Sequence, residues 1–477
     1  MRAFVPALLL AAVLSADSPS AAQTPTRPPP LSQHFRSRPD LLPPVVHVRT
    51  HLDGTTPGFI FLAPKLRVAQ AGPMIVDDSG NVLWFKPLDT RGVTDFQVQR
   101  YHGQPVLTWW RGRAPPRARD GYYVVYDTSY RKIADVQAGN HLVGDIHEFL
   151  ITPQNTALIT VYHRRPADLS SVGGPKNGVI YDGIVQEVDI ATRRVLFEWH
   201  SFPQVGLKES YEQVPHAGAY DYFHVNSIDV EPNGNLLVSS RNTHTVYEID
   251  RTTGKILWRL GGRLSDFKLG PGARFAWQHD ARRQPDGTIT LFDNGATPPV
   301  EKFSRILVLR VDERTRRATL IRSYHHPRRL LTPWEGNAQF LPNGHIFVGW
   351  GSNPDYTEFD ASGRVLLDAS FGRQGGRPGT EADSYRAFRF DWDGRPLDRP
   401  RIAISGGKLY VSWNGATDVR RWEVLAGSDA QHLTALRTAA KTGFETAIPL
   451  TSNAAAFSVR ALDRGGEVLA SSPVVRR

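Results

Sequence analysis

One short pattern recurs six times along this 477-residue chain and constrains its fold more than any other feature. In each copy an apolar residue precedes an aspartate, a polar turn follows, and the next apolar run has the length of a β-strand. The aspartates are Asp77, Asp127, Asp189, Asp250, Asp312 and Asp360, at intervals of 50, 62, 61, 62 and 48 residues. Repeats of this length with four short strands each are typical of β-propellers. The sequence therefore predicts an all-β fold with a six-bladed β-propeller over residues 45–396.

The fourth repeat is the clearest, because an Asn233-Gly234 turn separates two β-rich runs. His224 opens the first run and Arg241 follows the second. A hairpin would bring these two ends together and place an imidazole beside a guanidinium.

The two ends of the chain differ from the repeats. Residues 1–22 have a basic start, an apolar run and small residues, which predict a signal peptide and a secreted or cell-envelope location. Residues 23–44 form a Pro-rich linker. We expect residues 387–392 to return and pair with N-terminal strands, because this closes a propeller without an open edge. Residues 400–477 alternate with period two and predict a small fibronectin type III-like β-sandwich.

The composition excludes several kinds of site and partner. The absence of cysteine excludes disulfides, thiolate metal ligands and a cysteine nucleophile. The net charge of +10 suits a carboxylate, sulfate or phosphate ligand, although a GC-rich genome also encodes arginine-rich proteins. No motif for nucleic acid is present, so we predict no nucleic-acid partner. After the signal peptide, no segment is long and apolar enough to be an integral membrane helix.

Three histidines occupy comparable positions in three repeats. His147 and His279 each lie six residues before a proline, and His224 lies eight residues before one, which keeps it on the same strand face. Inner strands of a propeller surround a central channel, so we expect the three side chains to converge. Three imidazoles could also bind Zn²⁺ or Mn²⁺. Arg241 argues against this, because a fixed cation repels a metal and attracts an oxyanion, and we predict no metal.

The segments around these residues carry a family resemblance. His224-Val225-Asn226-Ser227-Ile228 with Ser239-Ser240-Arg241, then Gln278-His279 and Phe292-Asp293-Asn294-Gly295, resemble the bacterial arylsulfate sulfotransferases. These are exported six-bladed propellers that use no nucleotide sulfate donor. The resemblance implies that His279 is the nucleophile, forming a sulfohistidine, while His147, His224 and Arg241 hold the sulfuryl oxygens. It further implies an aryl sulfate donor, a phenolic acceptor and no cofactor.

That chemistry agrees with the residue types. A neutral imidazole can attack sulfur and later release the group, and nearby cations can stabilise the charge that develops. Five further residues were assigned to substrate binding from their type and position: Asn226, Trp277, Asn294, Trp334 and Asn337.

Two other functions stay open at this point. A polysaccharide lyase on the same scaffold would use His and Arg to neutralise a uronate carboxylate, and His or Tyr to remove a proton. Its partner would be an acidic polysaccharide. A non-enzymatic propeller would instead bind a glycan or a protein partner, and its three histidines could be replaced with no loss beyond stability.

Overall fold

The computed structural model describes most of the chain, namely residues 32–90, 92–113, 120–373 and 381–477. The proposed signal peptide and the first part of the linker lie outside the described residues. Within them, helix is limited to two short 3-10 turns at Ser170–Val172 and Leu207–Glu209, so the predicted all-β class is confirmed. No helix in the described ranges is long and apolar enough to cross a membrane.

Six sheets, here named sheets 1 to 6, follow one another along the chain. Sheet 1 contains Phe59–Leu62, Met74–Val76, Val82–Phe85 and Ala387–Phe390. Sheet 2 contains Gly92–Tyr101, Gln104–Gly112, Tyr122–Tyr126 and Lys132–Val136. Sheet 3 contains Gly144–Ile151, Thr156–Ala167, Gly178–Asp189 and Val195–His200.

The next three sheets repeat this antiparallel order, and two of them gain a fifth strand. Sheet 4 contains Val225–Val230, Leu236–Ser240, Thr245–Ile249 and Ile256–Gly261. Sheet 5 contains Lys268–Leu269, His279–Arg283, Ile289–Asp293, Arg305–Asp312 and Arg317–His325. Sheet 6 contains His47–His51, Asn337–Phe340, Ile346–Gly349, Asp355–Phe359 and Val365–Ser370.

The six repeated aspartates all lie in the same turn, the one that leads into the outermost meander strand of each sheet. Asp77 Oδ1 accepts hydrogen bonds from the backbone N–H of Ser79 and Asn81, at 3.0 and 2.8 Å. The other five make equivalent backbone contacts. A short carboxylate side chain can satisfy turn N–H groups in this way, which is why the residue recurs.

The innermost strands of the six sheets contact one another in a closed cycle. The strand Ala387–Phe390 pairs antiparallel with Phe59–Leu62, as expected for the returning segment. It also contacts Gly92–Tyr101 of sheet 2 and Asn337–Phe340 of sheet 6. Contacts between the innermost strands continue from sheet 2 through sheets 3, 4 and 5 to sheet 6. The starts of these strands therefore face a common space.

Aromatic side chains fill the gaps between neighbouring sheets. Tyr123 of sheet 2 stacks on Phe149 of sheet 3 with ring centroids 4.6 Å apart. Trp84, Trp199 and Trp258 follow the repeated turns and are buried. Burying one large side chain contributes about 1.5–3 kcal/mol, so these layers supply much of the stability.

The C-terminal region forms two further sheets with a core of its own. The first contains Arg401–Ser405, Lys408–Ser412 and Glu445–Pro449. The second contains Arg421–Gly427, Leu433–Ala440, Ala456–Leu462, Val468–Ser471 and Val475–Arg476. Trp422 and Phe457 are fully buried in the apolar cluster of this region. The described part of the linker contacts the same region, because the backbone N–H of Arg36 donates to Glu445 at 3.1 Å.

Candidate active site

A cavity of about 640 Å³ lies where the inner strands of sheets 3, 4 and 5 begin. The side chains that line it come from loops and strand starts widely separated in the sequence. They include His147, Tyr162, His224, His279, Glu335 and Tyr385. The three histidines singled out from the sequence thus share one cavity.

The three imidazoles are close neighbours. The rings of His147 and His224 have centroids 4.9 Å apart and are nearly perpendicular. Tyr385 lies between the other pair, with its ring centroid 5.5 Å from that of His147 and 6.4 Å from that of His279. Their backbone positions differ, since His147 lies within its strand, His279 begins one, and His224 immediately precedes one.

His147 and His224 each have a carboxylate behind the ring. Nδ1 of His147 contacts Asp145, and Nδ1 of His224 lies 2.5 Å from Asp221 Oδ2. Because a carboxylate only accepts, each Nδ1 carries a proton. This leaves Nε2 of each ring for the cavity, and the carboxylate would stabilise a proton added there. Burial lowers the pKa of His224, and the charge of Asp221 opposes this effect.

His279 has a neutral amide in the corresponding place. Its Nδ1 lies 2.7 Å from Asn294 Oδ1, while Asn294 Nδ2 donates to the carbonyls of Thr332 and Glu335 at 2.8 and 2.9 Å. These two bonds fix the amide orientation, so Nδ1 must be the protonated nitrogen. Nε2 therefore carries a lone pair, which accepts a hydrogen bond from the backbone N–H of Glu335 at 3.3 Å.

The protonation state of His279 follows from its surroundings. Burial, and next the positive charge of Arg241, hold the pKa of His279 well below its ordinary value. The hydrogen bond with Asn294 opposes these effects only in part, and no carboxylate among the described residues is within salt-bridge distance of the ring. His279 is accordingly a neutral imidazole at physiological pH, with Nε2 unprotonated.

Arg241 is a partly buried cation beside the histidines. Its backbone N–H donates to the carbonyl of His224 at 2.9 Å, which realises the expected hairpin. The guanidinium lies 4.7 Å from the ring centre of Trp277 and donates to Asn242 Oδ1 at 2.8 Å. It forms no salt bridge with any described residue, and burial lowers its pKa. A partly buried cation without a paired carboxylate is suited to an anionic ligand.

The five residues assigned to substrate binding occupy different places. Trp334 lines the cavity and is 37% exposed. Trp277 lies beneath Arg241, and Asn294 lies behind His279. Asn226 and Asn337 are fully buried and do not line the cavity. Asn226 Nδ2 donates to the carbonyl of Gln278 at 2.7 Å, and Asn337 makes two 2.9 Å bonds with the backbone of Ala387. These two amides connect inner strands, so we no longer assign them to substrate binding.

Several cavity residues were missed from the sequence. Asp145 and Asp221 precede their histidines by two and three residues, a local spacing that could have revealed them. Tyr162, Glu335 and Tyr385 carry no such signal, because they reach the cavity from a second strand and from two loops.

Both tyrosines are buried hydrogen-bond donors. The hydroxyl of Tyr162 donates to the carbonyl of Val225 at 2.7 Å, and that of Tyr385 donates to the carbonyl of Asn226 at 3.3 Å. Burial raises the pKa of each well above its ordinary value. Neither phenol loses its proton readily, so both act as polar and aromatic walls.

A buried ionic cluster lies beside Tyr385. Arg386 is completely buried, and its guanidinium donates to Asp95 at 2.8 Å and to Glu148 at 3.0 Å. Arg282 donates to the same Glu148 at 2.6 Å. These residues come from the inner strands of four sheets and fill the space between them next to the site.

The sequence match decides the family. The model of the arylsulfotransferase (ASST) family matches residues 97–372, which is more than half of the chain. The chain belongs to the arylsulfotransferase family. Membership indicates a sulfotransferase, and the matched segment contains all four residues of the histidine and arginine site.

Other comparisons are more distant. No curated protein matches the sequence. A solved structure of unknown function from Bacteroides caccae has a TM-score of 0.40 and 13% identity, covering 66% of this chain and 93% of its own. Inactive virginiamycin B lyase from Staphylococcus aureus has a TM-score of 0.35 and 7% identity, covering 78% and 97%. Scores this low carry no argument, and the family assignment rests on the sequence match.

The site offers no evident metal cage. In the described ranges, no group of three or more His, Cys, Asp or Glu side chains has the arrangement needed to hold a metal ion. The Nδ1 atoms of the three histidines are already used by Asp145, Asp221 and Asn294.

Proposed function

We propose that this arylsulfotransferase moves a sulfuryl group from an aryl sulfate to a phenolic acceptor through a sulfohistidine on His279. The observation that carries the proposal is the difference in Nδ1 partners among the three histidines. Only His279 combines an amide partner with a buried, neutral ring. The other two have carboxylate partners.

Nucleophilic attack requires a lone pair that faces the substrate. Nε2 of His279 is the unprotonated nitrogen, because Nδ1 donates to Asn294, and its lone pair would turn to the substrate when the 3.3 Å hydrogen bond from the Glu335 backbone N–H is released. When Nε2 bonds to sulfur, the S–O bond of the donor breaks and the aryl oxygen leaves with the electron pair. The imidazole then carries the positive charge, and Asn294 continues to accept the Nδ1 proton. Splitting the transfer into two displacements lowers each barrier.

His147, His224 and Arg241 have the properties needed to hold the sulfuryl oxygens. Arg241 supplies a fixed charge close to His279, as its effect on that pKa indicates. The two carboxylate-backed histidines would supply donors at Nε2 in their protonated form. Such groups stabilise charge that grows in the transition state, and removing one typically costs on the order of 10²–10³-fold in rate.

The walls of the cavity suit a flat aromatic molecule. Tyr162 stacks on His147 with centroids 5.4 Å apart, and Trp334 presents an exposed ring at the same cavity. Aromatic pairs of this kind contribute about 0.5–1.5 kcal/mol beyond area burial. Both donor and acceptor would have aryl groups, so one binding face can serve each in turn.

We also propose the larger architecture and the location. The six sheets would be blades of one propeller, since their inner strands contact each other in a cycle. Residues 400–477 would be a fibronectin type III-like sandwich. The signal peptide would direct the protein to a secreted or cell-envelope location.

The test is a single-turnover experiment without acceptor. Mixing the protein with 4-nitrophenyl sulfate should release one equivalent of phenol per active site and add one sulfuryl group to the peptide that contains His279. His279→Ala should lose both the burst and the adduct. His432→Ala is the control, because this histidine lies on the C-terminal sheets and is largely exposed. No burst from the native protein, or continued transfer by His279→Ala, would disprove the covalent mechanism.

The competing functions give different results in the same assay. A lyase acting on a uronate polymer would produce new unsaturation, and a binding protein would produce neither product. The raised tyrosine pKa values argue against Tyr162 or Tyr385 as the base of a lyase. Unsaturation from the polymer, with no phenol from the sulfate ester, would favour the lyase.

A further inference from the structure

Glu335 is a carboxylic acid at the cavity, and it has no role in the sulfohistidine mechanism described above. It lines the cavity together with His279, and its backbone N–H is 3.3 Å from His279 Nε2. The residue is only 9% exposed. Its Oε2 atom is buried without a hydrogen-bond partner, whereas Oε1 is bound to Lys65. Buried polar atoms without a partner are rare in proteins, and a catalytic role is one explanation for such an atom.

Lys65 is shared between two carboxylates. Its Nζ lies 3.0 Å from Glu335 Oε1 and 2.8 Å from Asp383 Oδ1, and all three side chains are buried. One ammonium can neutralise only one of the two acids. The second acid is therefore stable with a proton, as happens when two carboxyl groups share a site.

The charges around Glu335 favour a proton at that site near neutral pH. Burial and the nearby Asp383 carboxylate raise the pKa of Glu335 to about 7, against the opposing effects of Lys65 and His147. His279 beside it is neutral. General acid–base catalysis is most efficient for groups that titrate close to the working pH.

We propose that Glu335 is the proton donor to the leaving phenol and the proton acceptor from the incoming phenol. This rests on the proposed function. In the first step, the His279 Nε2–S bond forms, the S–O(aryl) bond breaks, and the Glu335 proton passes to the aryl oxygen. In the second step, the acceptor oxygen attacks sulfur, its proton passes to the Glu335 carboxylate, and the S–N bond breaks. Both residues then have their starting protons.

The chemistry of the two substrates explains the need for such a group. An ordinary phenol has a pKa of about 10, so its phenolate is a poor leaving group and its neutral form a poor nucleophile. A residue that gives one proton and takes back another assists both half-reactions. An electron-poor phenol such as 4-nitrophenol leaves without a proton and gains little from this help.

The experiment compares two donors in Glu335→Gln. The amide keeps the size and the backbone N–H but cannot transfer the proton. With 4-nitrophenyl sulfate the burst rate should change less than threefold. With phenyl sulfate it should fall on the order of 10²-fold, the usual scale of acid catalysis. Equal loss with both donors, or no loss with either, would overturn the proposal.

Two further variants keep the proposal testable if Glu335→Gln folds poorly. Glu231→Gln is the matched control, because Glu231 is buried, has one oxygen on Arg283 and one without a partner, and lies outside the cavity. It should show no donor dependence. In Asp383→Asn, Lys65 would pair with Glu335 alone. This favours the ionised form of Glu335 and lowers the pKa of Glu335.

Asp383→Asn should shift the pH profile of the reaction in a defined direction. The phenyl sulfate reaction needs protonated Glu335 and declines as pH rises through its pKa, so the decline should move to lower pH. The 4-nitrophenyl sulfate profile should not move in that range. An unmoved phenyl sulfate profile would contradict the assignment. Absence of the His279 adduct in the native protein would refute the proposed function itself, and the role of Glu335 with it. A normal His279 adduct in the native protein, together with an equal effect of Glu335→Gln on the two donors, would refute only the role of Glu335.

Discussion

At the scale of single residues, the atom that faces Nδ1 sets the chemical role of each histidine. A carboxylate stabilises the imidazolium more than a neutral amide does, because it adds a full negative charge to the hydrogen bond. His147 and His224 have the first kind of partner and His279 has the second. The ring that must remain neutral is thus the one without a negative neighbour, in a place where burial already opposes protonation.

This argument predicts the effect of Asn294→Asp. A carboxylate at Nδ1 should raise the pKa of His279, so the neutral nucleophile is lost below a higher pH. The burst rate with 4-nitrophenyl sulfate should fall at mildly acidic pH and recover as the pH rises. The acidic limb of the pH–rate profile should move to higher pH by at least about one pH unit.

Asn294→Ala provides the comparison. It removes the same hydrogen bonds to Thr332 and Glu335 without adding a charge. The burst of this variant should be slower at every pH, and the acidic limb of its pH–rate profile should stay at the same pH. An identical profile for the two variants would show that Asn294 only positions the ring.

At the scale of secondary-structure elements, buried charges next to the site connect the innermost strands of neighbouring sheets. Arg386 immediately precedes the strand Ala387–Phe390 of sheet 1 and connects Asp95 of sheet 2 with Glu148 of sheet 3. Glu148 in turn accepts from the backbone N–H of Ile228 in sheet 4 at 3.2 Å. The returning strand therefore supplies a central cation as well as a closing partner for Phe59–Leu62.

We expect Arg386→Gln to destabilise the protein strongly. It would leave Asp95 and Glu148 buried with less compensation, and breaking a buried ion pair in this way typically costs about 3–5 kcal/mol. Denaturant unfolding followed by tryptophan fluorescence measures the loss. Arg395→Gln is the control, since Arg395 pairs with Asp393 on the surface and should show no measurable change. Equal stability of the two variants would mean that the cluster contributes little.

At the scale of the whole molecule, the C-terminal region is attached to the sheets but remote from the cavity. The amide of Asn414 makes two 3.0 Å bonds with the backbone of Phe85, and the hydroxyl of Tyr130 donates to the carbonyl of Gly415 at 2.8 Å. Phe444 packs on Phe35 with centroids 4.3 Å apart. No cavity residue comes from 400–477.

Removal of residues 400–477 should therefore affect stability more than activity. Loss of these contacts exposes the apolar surface around Phe35 and Tyr130, so the melting temperature should fall and solubility should decrease. The burst amplitude per folded molecule with 4-nitrophenyl sulfate should be unchanged. A truncated protein that keeps its melting profile and loses the burst would show that the region takes part in the site.

The sequence by itself determined the features that depend on local patterns. Repeated aspartates mark the turns because their side chains bond to N–H groups only two to four residues away. The alternation of strands gave the all-β class, and the returning segment 387–392 followed from the need to close an open edge. The alignment of the repeats on their prolines identified His147, His224 and His279, and the three side chains share one cavity although their places relative to the strands differ.

Only the tertiary structure decided how these residues differ from one another. Glu335 and Tyr385 reach the cavity from distant loops, and no spacing in the sequence links them to His279. Burial decided that Asn226 and Asn337 connect strands and do not line the cavity, because each amide bonds to backbone groups of a neighbouring sheet. Protonation depends on burial and on charges from several sheets at once, so it follows from how the chain packs.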